Sequence, residues 1–223
     1  MRNFILLLFF ALLFVSCKTK NENVEISADK AVAIPNADGW YTLFNGKNFD
    51  GWQFNDKPGT FSIVDGAIKV NGKRSHLFYV GPVENHNFKN FEFKADIMTK
   101  PGANSGVYFH TQYQPEGWPV KGYEVQVNNS HSDWRRTGGL WGVKDVKEVP
   151  TKDDEWFTMY IKVEGKHIIV KLNDQTITDY VEPENVNYEG MPGRKISSGT
   201  FALQGHDPNS TVFYKNIMVK PLP

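Results

Sequence analysis

A single cysteine, Cys17, rules out an intrachain disulfide. Neither sign of charge is in excess: 25 Lys and Arg stand against 25 Asp and Glu. The chain therefore has no broad electrostatic grip for nucleic acid, and none for an anionic lipid surface. The one long apolar run, from Phe4 to Val15, is too short to cross a bilayer as a helix. Beyond it no stretch keeps an amphipathic helical period, and no segment repeats. Aromatic residues and turn formers are abundant instead, with 6 Trp, 9 Tyr, 16 Phe, 19 Gly and 12 Pro. That mixture favours β-sheet broken by many turns. Indole and phenol rings also suit a sugar ligand, whose C–H faces stack on them.

Arg2 ahead of the apolar run, with small residues after it, describes a secretory signal peptide. The run ends in Phe14-Val15-Ser16-Cys17, which resembles a bacterial lipobox in which the cysteine is lipidated and becomes the new N-terminus. The expected organisation is a signal peptide over 1–16, then a lipidated Cys17 and polar tether over 17–37, then one folded domain over 38–223. Multiple acyl chains would hold such a protein on a membrane without a spanning helix. Lys18-Thr19-Lys20 lacks the acidic run of surface-exported lipoproteins, so the expected location is a periplasm-facing anchor.

From Gly39 onward the chain reads as roughly a dozen short strands separated by turn signals, the pattern of an all-β sandwich or barrel. Asp65-Gly66 between Phe61–Val64 and Ala67–Val70 is a hairpin signal, because both turn residues tolerate positive φ. Phe91, Phe93, Ala95 and Ile97 alternate with polar residues. Two long breaks interrupt the strands, at 129–154 and 182–198. Loops of that length in a compact domain usually carry function.

The most informative stretch is Asn104 to Asn128. Side chains on a strand alternate between faces. Val107, Phe109 and Thr111 therefore point one way, and Tyr108, His110 and Gln112 the other. Likewise Tyr123, Val125 and Val127 oppose Glu124, Gln126 and Asn128. One face is apolar; the other carries a phenol, an imidazole, a carboxylate and amides. This is the expected floor of a polar cleft, with Trp118, Trp134 and Trp141 on the nearby loops as stacking platforms. Farther on, Ala202, Gln204 and His206 share one face of another strand.

Several segments in fixed order then resemble a known family: Leu43-Phe44-Asn45-Gly46-Lys47 with Gly51-Trp52, Asn104-Ser105-Gly106-Val107-Tyr108, Gly122-Tyr123-Glu124-Val125-Gln126, Thr137-Gly138 and Phe213-Tyr214-Lys215-Asn216-Ile217. They resemble the 3-keto-disaccharide hydrolase domain. The resemblance implies a concanavalin A-like jelly-roll sandwich of two antiparallel sheets with a sugar-binding concave face. It also implies cleavage of glycosides whose C3 hydroxyl has been oxidised to a ketone, and therefore a sugar 3-oxidoreductase acting beforehand. Glu124, Gln126 and Asn104 lie inside the matched motifs.

A conventional glycosidase needs two carboxylates across the scissile bond. Here the cleft strand offers one, Glu124, unless Asp133 or Glu116 adds a second from a loop. A 3-keto sugar needs less, because the ketone acidifies the C2 hydrogen and one base can start a β-elimination. Glu124, His110 and His206 are the candidate catalytic groups, and the same three could hold a divalent cation. Candidate substrate contacts are Asn104, Tyr108, Gln126, Gln204, Trp118, Trp141 and Arg135. His76, His86, His131 and His167 read as structural or surface residues. Two other readings stay open: a carbohydrate-binding module without chemistry, since fold does not fix function, and an ordinary glycoside hydrolase.

Overall fold

The computed structural model describes residues 33–223. The expected signal peptide, Cys17 and most of the tether lie outside the described residues. Thirteen strands form two antiparallel sheets: β1 (Tyr41–Thr42), β2 (Trp52–Phe54), β3 (Phe61–Val64), β4 (Ala67–Val70), β5 (Ser75–Tyr79), β6 (Asn90–Thr99), β7 (Ser105–Thr111), β8 (Tyr123–Val127), β9 (Phe157–Glu164), β10 (His167–Leu172), β11 (Gln175–Val181), β12 (Thr200–Gly205) and β13 (Val212–Leu222). The larger sheet runs β11-β10-β9-β6-β13-β4-β3, with β1 also paired to β13. The smaller sheet runs β2-β5-β12-β7-β8. The all-β, two-sheet expectation is met, and helix is confined to two 3-10 turns among the described residues.

Alternation builds this architecture. Along β6, Phe91, Phe93, Ala95 and Ile97 are fully buried while the intervening residues are half-exposed. Their rings meet the smaller sheet directly: Phe91 lies 5.8 Å from Phe109 and 4.9 Å from Phe201, and Phe93 lies 4.8 Å from Phe201. Two inner faces interdigitating in this way make the core of a sandwich. The Asp65-Gly66 turn joins β3 to β4 with both residues at positive φ, 50° and 75°.

On the smaller sheet every residue of β5, β7, β8 and β12 is buried, on both faces. One face lies on the core. The other is roofed by loops, and a small apolar cluster of Phe78, Tyr108 and Ala202 sits there. This loop-roofed face is the one the sequence marks as polar.

The alternation fails at one place. Between the pairs Ala202↔Tyr108 and Thr200↔Thr111, β7 has two residues where β12 has one. The extra residue is a β-bulge, and His110 takes φ 55° there. The bulge turns the His110 ring to the core side, 5.6 Å from Phe91 and 5.4 Å from Phe109.

Candidate active site

Glu124 and Gln126 project from β8 into a cleft of about 730 Å³. Tyr108 on β7 and Gln204 on β12 stand beside them. The walls come from loops: Trp118 to Lys121 between β7 and β8, Asp133 and Trp141 between β8 and β9, Gly190 to Arg194 between β11 and β12, and His206 after β12.

Glu124 is 5% exposed, and neutral donors hold both of its oxygens. The Tyr108 hydroxyl donates to Oε2 at 2.7 Å, and Gln204 Nε2 donates to Oε1 at 2.7 Å. Burial pushes the carboxyl above the usual range, against the pull of the Tyr108 hydrogen bond, the Arg194 charge, the Gln204 hydrogen bond and His206. Burial and the Glu124 carboxylate together push the Tyr108 phenol well up, so it stays protonated. Gly106 makes room for this arrangement. A Cβ there would lie 2.4 Å from Glu124 Oε1, so any side chain would displace the carboxylate.

The amides are only partly used. Gln126 Nε2 donates to Asn104 Oδ1 at 2.7 Å. Gln126 Oε1 and Gln204 Oε1 are buried without a partner. Buried acceptors left open on a cleft floor are suited to ligand hydroxyls.

His206 Nδ1 lies 2.8 Å from Asp207 Oδ2. An ionised carboxylate can only accept, so Nδ1 carries the proton. Burial would raise the Asp207 pKa, but hydrogen bonds from His206, Ser210 Oγ and the Asn209 backbone outweigh it and hold this carboxyl below its usual range. The other His206 nitrogen makes no hydrogen bond among the described residues.

The loops are built as firmly as the strands. Asn128 Nδ2 donates to the Asp133 and Arg135 carbonyls at 2.9 and 2.7 Å, which folds the long loop back on itself. The Trp141 N–H then bonds to the Glu124 carbonyl at 3.0 Å. Glu182 Oε2 accepts from Tyr123 and from the Ile196 N–H, closing the 182–198 loop. A Cβ on Gly193 would lie 2.2 Å from the Val120 carbonyl oxygen, so only glycine lets these two walls touch.

Of the expected site residues, Glu124, His206, Asn104, Tyr108, Gln126, Gln204, Trp118 and Trp141 share this cleft. Two corrections follow. His110 faces the core, where Nε2 donates to the Lys89 carbonyl at 2.8 Å and Nδ1 accepts from the Ser197 N–H at 3.2 Å. Both nitrogens of the neutral ring are thus committed away from the cleft. The expected cation set of His110, Glu124 and His206 is therefore not assembled. No group of three His, Cys, Asp or Glu is placed to hold a metal among the described residues. Arg135 lies behind Trp141 rather than on the wall, with its guanidinium carbon 5.1 Å from that ring and ion pairs to Asp133 and Asp145.

The sequence reading missed one residue of the cleft wall and placed no weight on a second, buried beneath it. Arg194 lines the cleft from the 182–198 loop, whose length was its only signal. His76 lies opposite Gln204 on β5, and its ring is 5.5 Å from Tyr108 and 5.4 Å from Trp118. Its even spacing with Phe78 was the available clue.

Residues 39–220 match the family model of the 3-keto-alpha-glucoside-1,2-lyase-like domain. A 3-keto-disaccharide hydrolase of Bacteroides thetaiotaomicron is 25% identical, over 83% of this chain and 79% of the relative. A Parabacteroides distasonis structure described as a candidate glycosyl hydrolase superposes with a TM-score of 0.72 at 24% identity, covering 84% of this chain and 95% of that one. A carbohydrate-binding module from Bacillus subtilis shares the fold, with a TM-score of 0.55 at 14% identity over 76% of this chain and 95% of the module. The chain belongs to the 3-keto-alpha-glucoside-1,2-lyase-like domain family and is a carbohydrate-cleaving enzyme.

Proposed function

We propose that the enzyme cleaves glycosides bearing a ketone at C3 of the sugar, by elimination followed by hydration. The observation that carries this reading is Glu124. It is a buried carboxylate on the cleft floor, held by neutral donors, with its pKa raised by desolvation. Such a group is a stronger base than an ordinary carboxylate. In the first step Glu124 takes the C2 proton. The C2–H pair becomes the C2=C3 bond, and the ketone π pair moves to the C3 oxygen. The enolate then collapses: the C3 ketone re-forms, the C1=C2 bond forms and the C1–O bond breaks. The leaving oxygen takes a proton from Nε2 of the His206 imidazolium, whose Nδ1–H is oriented by Asp207. Water next adds its oxygen to C1 and returns one proton to His206, while C2 takes the proton held on Glu124, which exchanges with solvent before it is delivered. The unused amide oxygens of Gln126 and Gln204 would accept sugar hydroxyls.

Asp133 also lines the cleft and keeps a second reading alive, direct hydrolysis by two carboxylates. Arg135 engages both Asp133 oxygens at 3.3 Å, which favours a structural role. One experiment decides between the two. The protein is incubated in heavy water with a 3-keto glycoside and, separately, with the unoxidised parent. Elimination predicts cleavage of the keto substrate alone, with deuterium at C2 beyond that in product incubated without enzyme. Efficient cleavage of the parent glycoside, or no C2 deuterium, would reject it.

The substrate's ketone requires a preceding oxidation at C3, so a sugar 3-oxidoreductase is the proposed supplier. Acylation of Cys17 and a periplasm-facing membrane location complete the proposal, supported by Arg2, the apolar run and Val15-Ser16-Cys17. Cys17→Ala should move the protein from the membrane to the soluble fraction; unchanged membrane partitioning would refute the anchor.

A further inference from the structure

Two arginines flank the Trp141 ring, and they are treated differently. The guanidinium carbon of Arg135 lies 5.1 Å from the ring centroid and that of Arg194 lies 5.0 Å from it. Arg135 is neutralised by Asp133 and Asp145, each at 3.3 Å. Arg194 forms no ion pair among the described residues. It is 9% exposed, and its Nε, like that of Arg135, is buried without a hydrogen-bond partner, so the ion pairs alone separate the two. Its one side-chain hydrogen bond runs from Nη1 to the Trp141 carbonyl at 2.6 Å. The backbone around it is pinned: the Arg194 N–H bonds to the Met191 carbonyl, and the Gly193 carbonyl accepts from the Gly122 N–H, both at 3.0 Å.

Holding an uncompensated cation out of water is costly. A fold that pairs Arg135 twice and leaves Arg194 open keeps that charge for an anion in the cleft. Glu124 feels the charge from across the cleft but makes neither a hydrogen bond nor an ion pair with it. A permanent carboxylate on the substrate would place a second fixed anion near Glu124. An anion that appears only as Glu124 is neutralised would not.

We propose that Arg194 stabilises the negative C3 oxygen of the enolate formed when Glu124 removes the C2 proton, with Trp141 as its positioning residue. This rests on the elimination reading above. As the proton moves to Glu124, one negative charge leaves the carboxylate and one arises on the substrate oxygen. The cleft keeps its net charge, and Arg194 faces a single anion throughout. A fixed donor aimed at charge that develops in the transition state needs no reorganisation during the reaction.

The test uses Arg194→Gln and Arg194→Lys in the full chain, with two neutral probes. The first is a 3-keto glycoside, for kcat and KM. The second is a 3-keto sugar with hydrogen in place of the C1 substituent; it can exchange C2–H in heavy water but cannot eliminate. Arg194→Gln should lower kcat and the exchange rate by about 10²–10³-fold, with KM changed only a few-fold. Arg194→Lys should recover part of both, and guanidinium ion in solution should partly restore the Gln variant. Thermal melts confirm that the variants are folded; if Gln does not fold, the Lys variant's kcat-against-KM split decides. Exchange as fast in Arg194→Gln as in the parent overturns the inference while leaving elimination standing. A loss confined to KM, or seen only with a carboxylate-bearing glycoside, overturns it too. If the parent protein shows no exchange at all, elimination itself is wrong, and this inference falls with it.

Discussion

The two faces of the smaller sheet bury polar groups in opposite ways. On the core side each is used up. Tyr123 donates to Glu182, Ser105 Oγ bonds to the Gln204 carbonyl and meets the Tyr214 hydroxyl, and both His110 nitrogens are bonded. On the cleft side capacity is left over, at Gln126 Oε1, Gln204 Oε1, Arg194 Nε and both nitrogens of His76. An unmade hydrogen bond inside a protein costs roughly 1–3 kcal/mol. One face is thus spent on stability, and the other keeps unsatisfied groups on Gln126, Gln204 and Arg194, which line the cleft.

The largest expected effect comes from removing the charge on which the cleft face is centred. Glu124→Gln keeps the shape and one acceptor oxygen but loses the base, so turnover should fall by about 10²–10⁴-fold. Its stability should move the other way. A carboxyl whose folded pKa is raised favours the fold most at low pH, and that contribution is lost as pH rises through the folded value. At pH 8 the Gln variant should therefore melt above the parent, and below pH 4 the gap should close. A variant that melts lower at pH 8 would argue that Glu124 is structural.

Gly106→Ala sharpens the comparison from below. The new methyl would lie 2.4 Å from Glu124 Oε1, so the carboxylate must leave its seat between Tyr108 and Gln204. Overpacking of this kind costs about 1–3 kcal/mol. Turnover should fall by roughly 10-fold or more, since small misplacements at a reacting centre are expensive. Gln126→Leu should do less. It removes an open acceptor and the bond to Asn104, so KM should rise about 2–13-fold with kcat nearly kept, the worth of a single hydrogen bond.

Most of the cleft face was legible because strand alternation is a local rule. Tyr108, Glu124, Gln126 and Gln204 were placed by counting residues in twos. His110 was misplaced by the same count, since the bulge depends on how β7 pairs with β12, and no residue in β7 announces it. Arg194 was illegible for a different reason. Its position depends on a loop closed by Glu182 and packed through Gly193, contacts between residues far apart in sequence. Arg135 carried a basic signal in a suggestive loop. Only the folded chain shows that two acids already claim it.

The smallest effect separates the two buried histidines. Burial pushes His76 down to about 3 and His110 down to about 4, from the ordinary 6.5. Both are neutral in the fold, while the unfolded chain takes up protons below about pH 6.5. Their contribution is complete above that value and is lost as pH falls toward about 4 and then 3. Each histidine should contribute a slope of about 1.4 kcal/mol per pH unit across its window. The faces then predict different costs at neutral pH. His76→Phe gives up no hydrogen bond from its ring, so stability at pH 7.5 should change by only about 1 kcal/mol while the acid slope becomes shallower. His110→Asn tolerates the left-handed backbone but strands the Lys89 carbonyl and the Ser197 N–H, costing about 1–3 kcal/mol at pH 7.5, a cost that shrinks as pH falls below about 6.5. Urea titrations of both variants between pH 4 and 8 provide the check. If His76→Phe is as costly at pH 7.5 as His110→Asn, His76 has partners in solution, and the contrast between the two faces is weaker than their hydrogen bonds indicate.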